Sequence, residues 1–241
     1  MIQIAKKLLL ALLLGTSLNA ATQLSQSEIK QIEELELFKR VPITVNKAYD
    51  LKDFYLLKVI IQGNPDEVYL TKDKKNLIAG DVINTKTGTK LEAPADVSTL
   101  EGKEILTYGS GKDEYFLFTD PECPYCKKFE SYFPQIEKNV KIRVFYYPLD
   151  FHVNAKDMSI YVMSKKTNAE KIKTMLNITL NDEGYKNRNY SKEQLEELEA
   201  SLEAQIAIAQ ELDVRGTPAV FDKQGNKVSW PNMLTKYNVK Q

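Results

Sequence analysis

The sequence predicts a mixed α+β and α/β chain in two parts: a small strand-rich N-terminal domain, then a larger domain in which strands alternate with helices. Three observations carry this. An apolar run at 114–119 (EYFLFT) passes through a short break into a helix-spaced segment that begins at Cys126. A helical stretch covers 154–212. Ahead of residue 90, one helix is followed by four β-rich runs separated by turn residues. A length of 241 residues suits two such domains, and 43% hydrophobic with 27% charged residues is an ordinary balance for a chain with its own core. Lysine plus arginine equals aspartate plus glutamate, at 33 each, and no basic block carries interleaved aromatics. That pattern argues against a nucleic-acid partner.

Residues 1–20 read as a secretory signal peptide. Lys6 and Lys7 form the positive start, 8–14 (LLLALLL) the apolar middle, and Ala20 with Ala21 the small residues of a cleavage zone. The apolar run is far short of the about 20 residues that a membrane span needs. No cysteine lies near the cleavage zone for lipid attachment. Export would put the mature chain in an oxidising compartment, which changes how its cysteines are read.

The N-terminal domain is expected over residues 21–90. Ser25 and Glu28 form a capping box ahead of Ile29, Ile32 and Leu35, so a helix starts there and ends before Pro42. Strand-like runs come next at 43–49, 55–62, 67–71 and 77–84, set apart by Gly63-Asn64-Pro65, 72–75 and Lys86-Thr87-Gly88. No catalytic constellation occurs among them. Residues 91–112 read as a linker, with Pro94, a helix over 97–106 and a Gly109-Ser110-Gly111 hinge. The second domain then occupies 113–241.

The chain holds two cysteines, in Cys123-Pro124-Tyr125-Cys126. Zinc normally takes four cysteine or histidine ligands, and only His152 could join the pair, so a metal site is a poor fit. A structural disulfide usually closes a longer loop, because a two-residue loop restrains the unfolded chain very little. A redox pair is the better reading. Cys123 lies after Asp120-Pro121-Glu122, where the 114–119 strand ends and a helix marked by Phe129, Tyr132, Phe133 and Ile136 begins. Free N–H groups and the dipole at a helix start stabilise a thiolate. Pro124 suits the first turn, where its missing N–H costs nothing. Cys126, one turn deeper, is expected to be more buried. Cys123 is therefore assigned as nucleophile and Cys126 as resolving thiol.

Further along, 141–148 (KIRVFYYP) reads as a strand. Ser191 to Gln194 has capping-box form ahead of Leu195, Leu198, Leu202, Ile206 and Ala209, and Gly184 interrupts the helical stretch before it. Residues 221–228 read as a hairpin through Gly225. His152 and Trp230 read as a loop residue and a packing residue. Asp120 and Glu122 either tune the nearby thiol or are solvated turn residues.

The run from Phe118 to Cys126 (FTDPECPYC) resembles the active site of the DsbC/DsbG family of periplasmic protein disulfide isomerases. Val214-Arg215-Gly216-Thr217-Pro218-Ala219 resembles that family's second motif. The resemblance implies a thioredoxin-like catalytic domain with a helical insertion, joined by a linker helix to a small N-terminal dimerisation domain. It implies that Pro218 is cis and, with Thr217, Pro124 and Tyr125, meets substrate beside the pair. Proline has no N–H to compete, so the Thr217 backbone is free to pair with a substrate strand. The stretch 76–84 is similar to the family's dimerising edge strand, implying a homodimer. Many relatives carry a second cysteine pair, which this chain lacks. Its Pro-Tyr dipeptide matches the DsbG-like version.

The resemblance further implies a periplasmic enzyme without cofactor or metal, acting on disulfides of exported proteins and recharged by a membrane reductase resembling DsbD. Cys123 would form a mixed disulfide, and either a substrate thiol or Cys126 would release it. Isomerase and reductase both fit. So does a dimeric oxidase recharged by a DsbB-like partner. A holdase chaperone with incidental redox activity is the alternative from a different class.

Overall fold

The computed structural model describes residues 21–85 and 88–240; the signal-peptide reading of residues 1–20 falls outside them. Among the described residues no helix is long and apolar enough to cross a membrane. The chain divides into two compact units, one ending at Ala79 and the other beginning at Gly80.

In the first unit, β1 (Thr22–Gln23), α1 (Gln26–Glu33) and α2 (Glu36–Arg40) precede β2 (Ile43–Asp50), β3 (Phe54–Ile61), β4 (Asn64–Thr71) and β5 (Leu77–Ala79). The strands form one antiparallel sheet in sequence order. The capping box of α1 forms: Ser25 Oγ accepts from Glu28 N, and the Glu28 carboxylate accepts from Ser25 N at 2.7 Å. Ile29 and Ile32 face Val45, Leu57, Val59, Val68 and Leu70, the inward set of alternating strands. Gln62 and Gly63 both take positive φ, 52° and 86°, so a two-residue turn closes the β3–β4 hairpin. That tight turn lets β4 start at Asn64, earlier than its apolar residues indicate. The strand expected over 77–84 covers only Leu77–Ala79, since Gly80 at φ 131° turns the chain out of the sheet. β5 is left at the sheet edge.

The second unit contains β6 (Leu106–Tyr108), β7 (Asp113–Thr119), α3 (Pro124–Glu130), α4 (Phe133–Ile136) and β8 (Val140–Tyr146). Four helices come after β8, α5 (Ala155–Met163), α6 (Asn168–Asn177), α7 (Glu183–Lys186) and α8 (Lys192–Glu211), then β9 (Ala219–Asp222), β10 (Lys227–Val228) and α9 (Trp230–Lys236). The sheet order is β10-β9-β7-β8-β6, with β7 and β8 parallel and the other pairs antiparallel. β7 is buried on both faces. Tyr115 and Leu117 join Ile142, Val144 and the helices α3 to α6 on one side. Phe116 and Phe118 join Phe145, Phe221, Val97 and Leu100 on the other.

Several expected elements differ. The single helix after the cysteines is two, because Pro134 lacks the N–H that would continue α3. The 154–212 stretch is four helices; Thr167 and Glu170 form a second capping box that restarts the chain at α6. No linker helix forms over 97–106. Val97 and Leu100 are anchors buried under the sheet, joined by isolated i→i+3 turns, and Leu106 already belongs to β6. Their three-residue spacing mimics a helix. The Gly109-Ser110-Gly111 segment is a packed corner rather than a hinge: Gly111 N donates to Val140 O at 2.9 Å, and a Cβ at either glycine would collide with the Asn139–Val140 backbone.

Candidate active site

The site lies where β7 ends and α3 begins. Thr119 and Asp120 are fully buried. The chain turns over Pro121 and Glu122, and Cys123 becomes the N-cap of α3 with Pro124 in its first turn. Cys123 is 4% exposed and Cys126 fully buried, while Tyr125 between them is 67% exposed. Both cysteines are free thiols. The Thr217–Pro218 peptide bond is cis, and it delivers the chain into β9 beside β7. Thr217 O lies 3.4 Å from Cys123 Sγ. Thr217, just ahead of the cis Pro218, thus meets the Cys123 sulfur, and Pro124 and Tyr125 lie between the two cysteines in the chain.

The thiols are driven in opposite directions. A hydrogen bond from the Cys126 thiol, helped by the Cys126 backbone N–H, the Thr217 side chain and the Tyr125 backbone, lowers the Cys123 pKa from 9.0 to about 5 against the opposing effect of burial. Burial raises the Cys126 pKa, and its bond to Cys123 adds to the rise. Thr217 Oγ1 is buried with no oxygen or nitrogen partner, which leaves its hydroxyl to the two sulfurs.

Beneath the pair runs a chain of polar groups that inspection of the sequence missed. The Thr119 side chain contacts Cys126, and Thr119 Oγ1 donates to Glu130 at 2.7 Å. Glu130 is buried, and Lys127 Nζ bonds its second oxygen at 3.1 Å while remaining partly exposed. Burial raises the Glu130 pKa, with Lys127 and Thr119 opposing. Tyr146 Oη, buried without a hydrogen-bond partner, has its pKa raised by burial and by Glu130, Asp120 and Cys126 around it. The i, i+4 spacing of Cys126 and Glu130 on one helix was the available signal.

Asp120 and Glu122 are not solvated turn residues. Asp120 Oδ1 accepts from Glu122 N at 2.7 Å and Cys123 N at 3.2 Å; Oδ2 accepts from Leu149 N and His152 Nδ1, both at 2.8 Å. Glu122 accepts from Asn154 N and Nδ2. His152 is therefore tied to the site, and the hydrogen bond to Asp120 raises its pKa. Trp230 packs on Phe129 and Tyr132. No cluster of three or more metal-ligating side chains occurs among the described residues.

A mixed sheet with a paired-cysteine motif at a strand-to-helix junction, facing a cis-proline, defines the thioredoxin-fold class of proteins. The chain belongs to the thioredoxin-like domain family, whose sequence model matches residues 103–240. It is similar to the protein named "Probable thiol:disulfide interchange protein DsbC" in Bordetella parapertussis and in Bordetella bronchiseptica, at 26% identity over 138 residues in each case. That match covers 57% of this chain and 43% of each relative, so it spans less than half the length of those proteins. Among solved structures, the catalytic domain of Proteus mirabilis ScsC is 18% identical with a TM-score of 0.43, covering 59% of this chain and 92% of that one. Pseudomonas aeruginosa DsbA2 is 18% identical with a TM-score of 0.40, covering 52% and 84%.

Proposed function

We propose that this protein is a thiol–disulfide oxidoreductase that isomerises or reduces non-native disulfides of exported proteins. The opposite shifts of the two thiols carry the proposal: Cys123 ionises at about 5, and Cys126 keeps its proton. At neutral pH the nucleophile is already a thiolate, which is the attacking species in exchange.

The Cys123 thiolate attacks one sulfur of a substrate disulfide. The substrate S–S bond breaks, a mixed disulfide forms, and the other substrate sulfur leaves as a thiolate. In isomerisation a substrate thiolate then attacks its own sulfur in the mixed disulfide, which restores the Cys123 thiolate with no net electron transfer. In reduction Cys126 attacks Cys123 Sγ instead. Its proton passes by Thr119 to Glu130, the pair closes as a disulfide, and the substrate leaves with two more electrons. A dithiol reductant, resembling DsbD, must then reopen the pair. Thr217 and Pro218 are assigned to substrate contact and Pro124 and Tyr125 to the rim of the nucleophile. Residues 1–20 would direct export to the periplasm. The N-terminal domain, with the β5 edge unpaired within its own sheet, would join two copies; sedimentation would test that directly.

One observation favours a second reading. Stabilising the Cys123 thiolate stabilises the reduced pair, which makes its disulfide more oxidising. A dimeric oxidase recharged by a DsbB-like partner would use the same residues. Trapping free thiols in cells separates the two: a mostly reduced pair supports isomerase or reductase, and a mostly oxidised pair supports the oxidase.

A further inference from the structure

The carboxylate that holds the nucleophile also holds the chain's single histidine. Asp120 is fully buried, and it accepts from Cys123 N at 3.2 Å through one oxygen and from His152 Nδ1 at 2.8 Å through the other. Glu122 N and Leu149 N complete its four donors and fix its orientation. Because a carboxylate only accepts, Nδ1 carries the proton of the histidine bond, and Nε2 is the ring position left to gain or lose one. The His152 side chain is 16% exposed, which lets the ring exchange protons with water.

Asp120 has the wrong charge for its place, since a buried carboxylate beside a sulfur works against a thiolate. Among the described residues His152 is the one basic side chain bonded to it. The groups that act on the ring are Asp120, by its hydrogen bond and its charge, then Cys123 and Glu122; all three favour the imidazolium, and burial opposes them. The Phe151 ring stands edge-on to the imidazole, with centroids 4.5 Å apart. Lys156, on the helix that follows, is engaged by Glu203 at 3.3 Å. The carboxylates of Asp120 and Glu122 are not changed by oxidation of the cysteine pair. Cys123 is: its sulfur is an anion in the reduced protein and uncharged in a disulfide.

We propose that His152 is a redox-linked proton site, which takes up a proton when the Cys123–Cys126 disulfide is reduced and releases it when the disulfide forms, with Asp120 as the positioning residue that holds ring and nucleophile together. The proposal rests on the thiol–disulfide reading of Cys123. Reduction by a dithiol or by glutathione supplies two electrons, breaks the S–S bond, leaves Cys123 as the thiolate and places one proton on Cys126. Between the ring's midpoints in the oxidised and reduced forms, His152 Nε2 takes a second proton from water. Oxidation re-forms the S–S bond and returns both protons. The linkage is reciprocal: the imidazolium favours the reduced pair by the same factor by which the thiolate raises the ring's affinity for a proton. Acidification through this range therefore makes the disulfide more oxidising than it would be with a neutral side chain at position 152.

A chain with one histidine allows a direct test. In the full chain without a histidine tag, the ring Hε1 signal of His152 is followed by proton NMR from about pH 6 to about pH 9, once with the pair oxidised and once with it reduced. Cys123, lowered to about 5, is a thiolate throughout that range in the reduced form. The reduced form should bind the ring proton at least about threefold more tightly. The second readout is the equilibrium constant for reduction of the pair by glutathione, in the unaltered protein and in His152→Asn, whose amide donates to Asp120 from the place of Nδ1 without a charge. The ratio of the two constants, unaltered to variant, should fall at least about threefold from the lower to the higher pH. A purely structural role for the ring would give one ratio at every pH. Equal ring midpoints in the two forms, or a ratio that does not move with pH, overturns the redox-linked proton. Failure of the unaltered protein to exchange with glutathione at any pH would instead remove the redox reading on which it depends.

Discussion

Two groups of charges, each built around a buried side chain, sit at opposite ends of β7, and they are completed to different degrees. At its N-terminal end Arg143, reaching across from β8, bonds Glu114 at 2.8 Å, Glu101 at 2.7 Å and also Glu104. Burial pushes Glu104 and Glu114 up in pKa, yet Arg143 and their other hydrogen bonds leave both below the ordinary carboxylate range. At the C-terminal end, Asp120, Glu130 and the Cys123 thiolate face Lys127 and His152. There Tyr146 Oη has no hydrogen-bond partner, and Thr217 Oγ1 has none besides the sulfurs. A buried polar group left unmatched costs stability, so a matched cluster serves the fold. The unmatched one keeps protons movable and donors free for a sulfur that changes charge.

Substitutions at the two ends would break or sharpen that contrast. Cys123→Ser has the largest effect: reduction of a disulfide-bonded protein falls to background while the circular dichroism spectrum is unchanged. Arg143→Leu leaves three carboxylates without their shared cation and should cost about 3–5 kcal/mol in urea unfolding. It should leave the ionisation of Cys123 where it was. If the midpoint for Cys123 moved with it, the two ends would not be independent.

Glu130→Gln should slow the resolving step about 10²-fold, so that a mixed disulfide accumulates and is seen by mass spectrometry. It also carries a pH signature. The folded state holds the Glu130 proton more tightly than the unfolded state, so the wild type loses stability as pH rises through the raised folded pKa. Glutamine does not titrate. Denaturation at pH 5 and pH 9 should show the variant gaining on the wild type at the higher pH. Smallest is Tyr146→Phe, which removes an unmatched hydroxyl and should change stability by no more than about 1 kcal/mol in either direction.

The cysteine junction was legible in the sequence because its chemistry is local, whereas the Thr217-Pro218 segment was legible only through its resemblance to a family motif. A strand, a two-residue spacer and a helix start lie within a few residues. The α1 capping box was legible for the same reason. What escaped depends on contacts across the chain. His152 lies 32 residues from Asp120, and no local pattern joins them. Thr119 and Glu130 read as a strand end and a helix charge until the fold brings them together beneath Cys126. Val97 and Leu100 carry helical spacing for a different reason, burial under the sheet. Breaks in the long helical stretch were hidden where Thr167, an ordinary β-favouring residue, acts as a cap.

The most direct measurement is the rate of alkylation of the reduced protein by iodoacetamide as a function of pH, with the labelled thiol identified by peptide mapping. Cys123 should be modified alone, with a midpoint near 5. A midpoint close to 9.0, or labelling of Cys126 at a similar rate, would contradict a thiolate held ready by its neighbours.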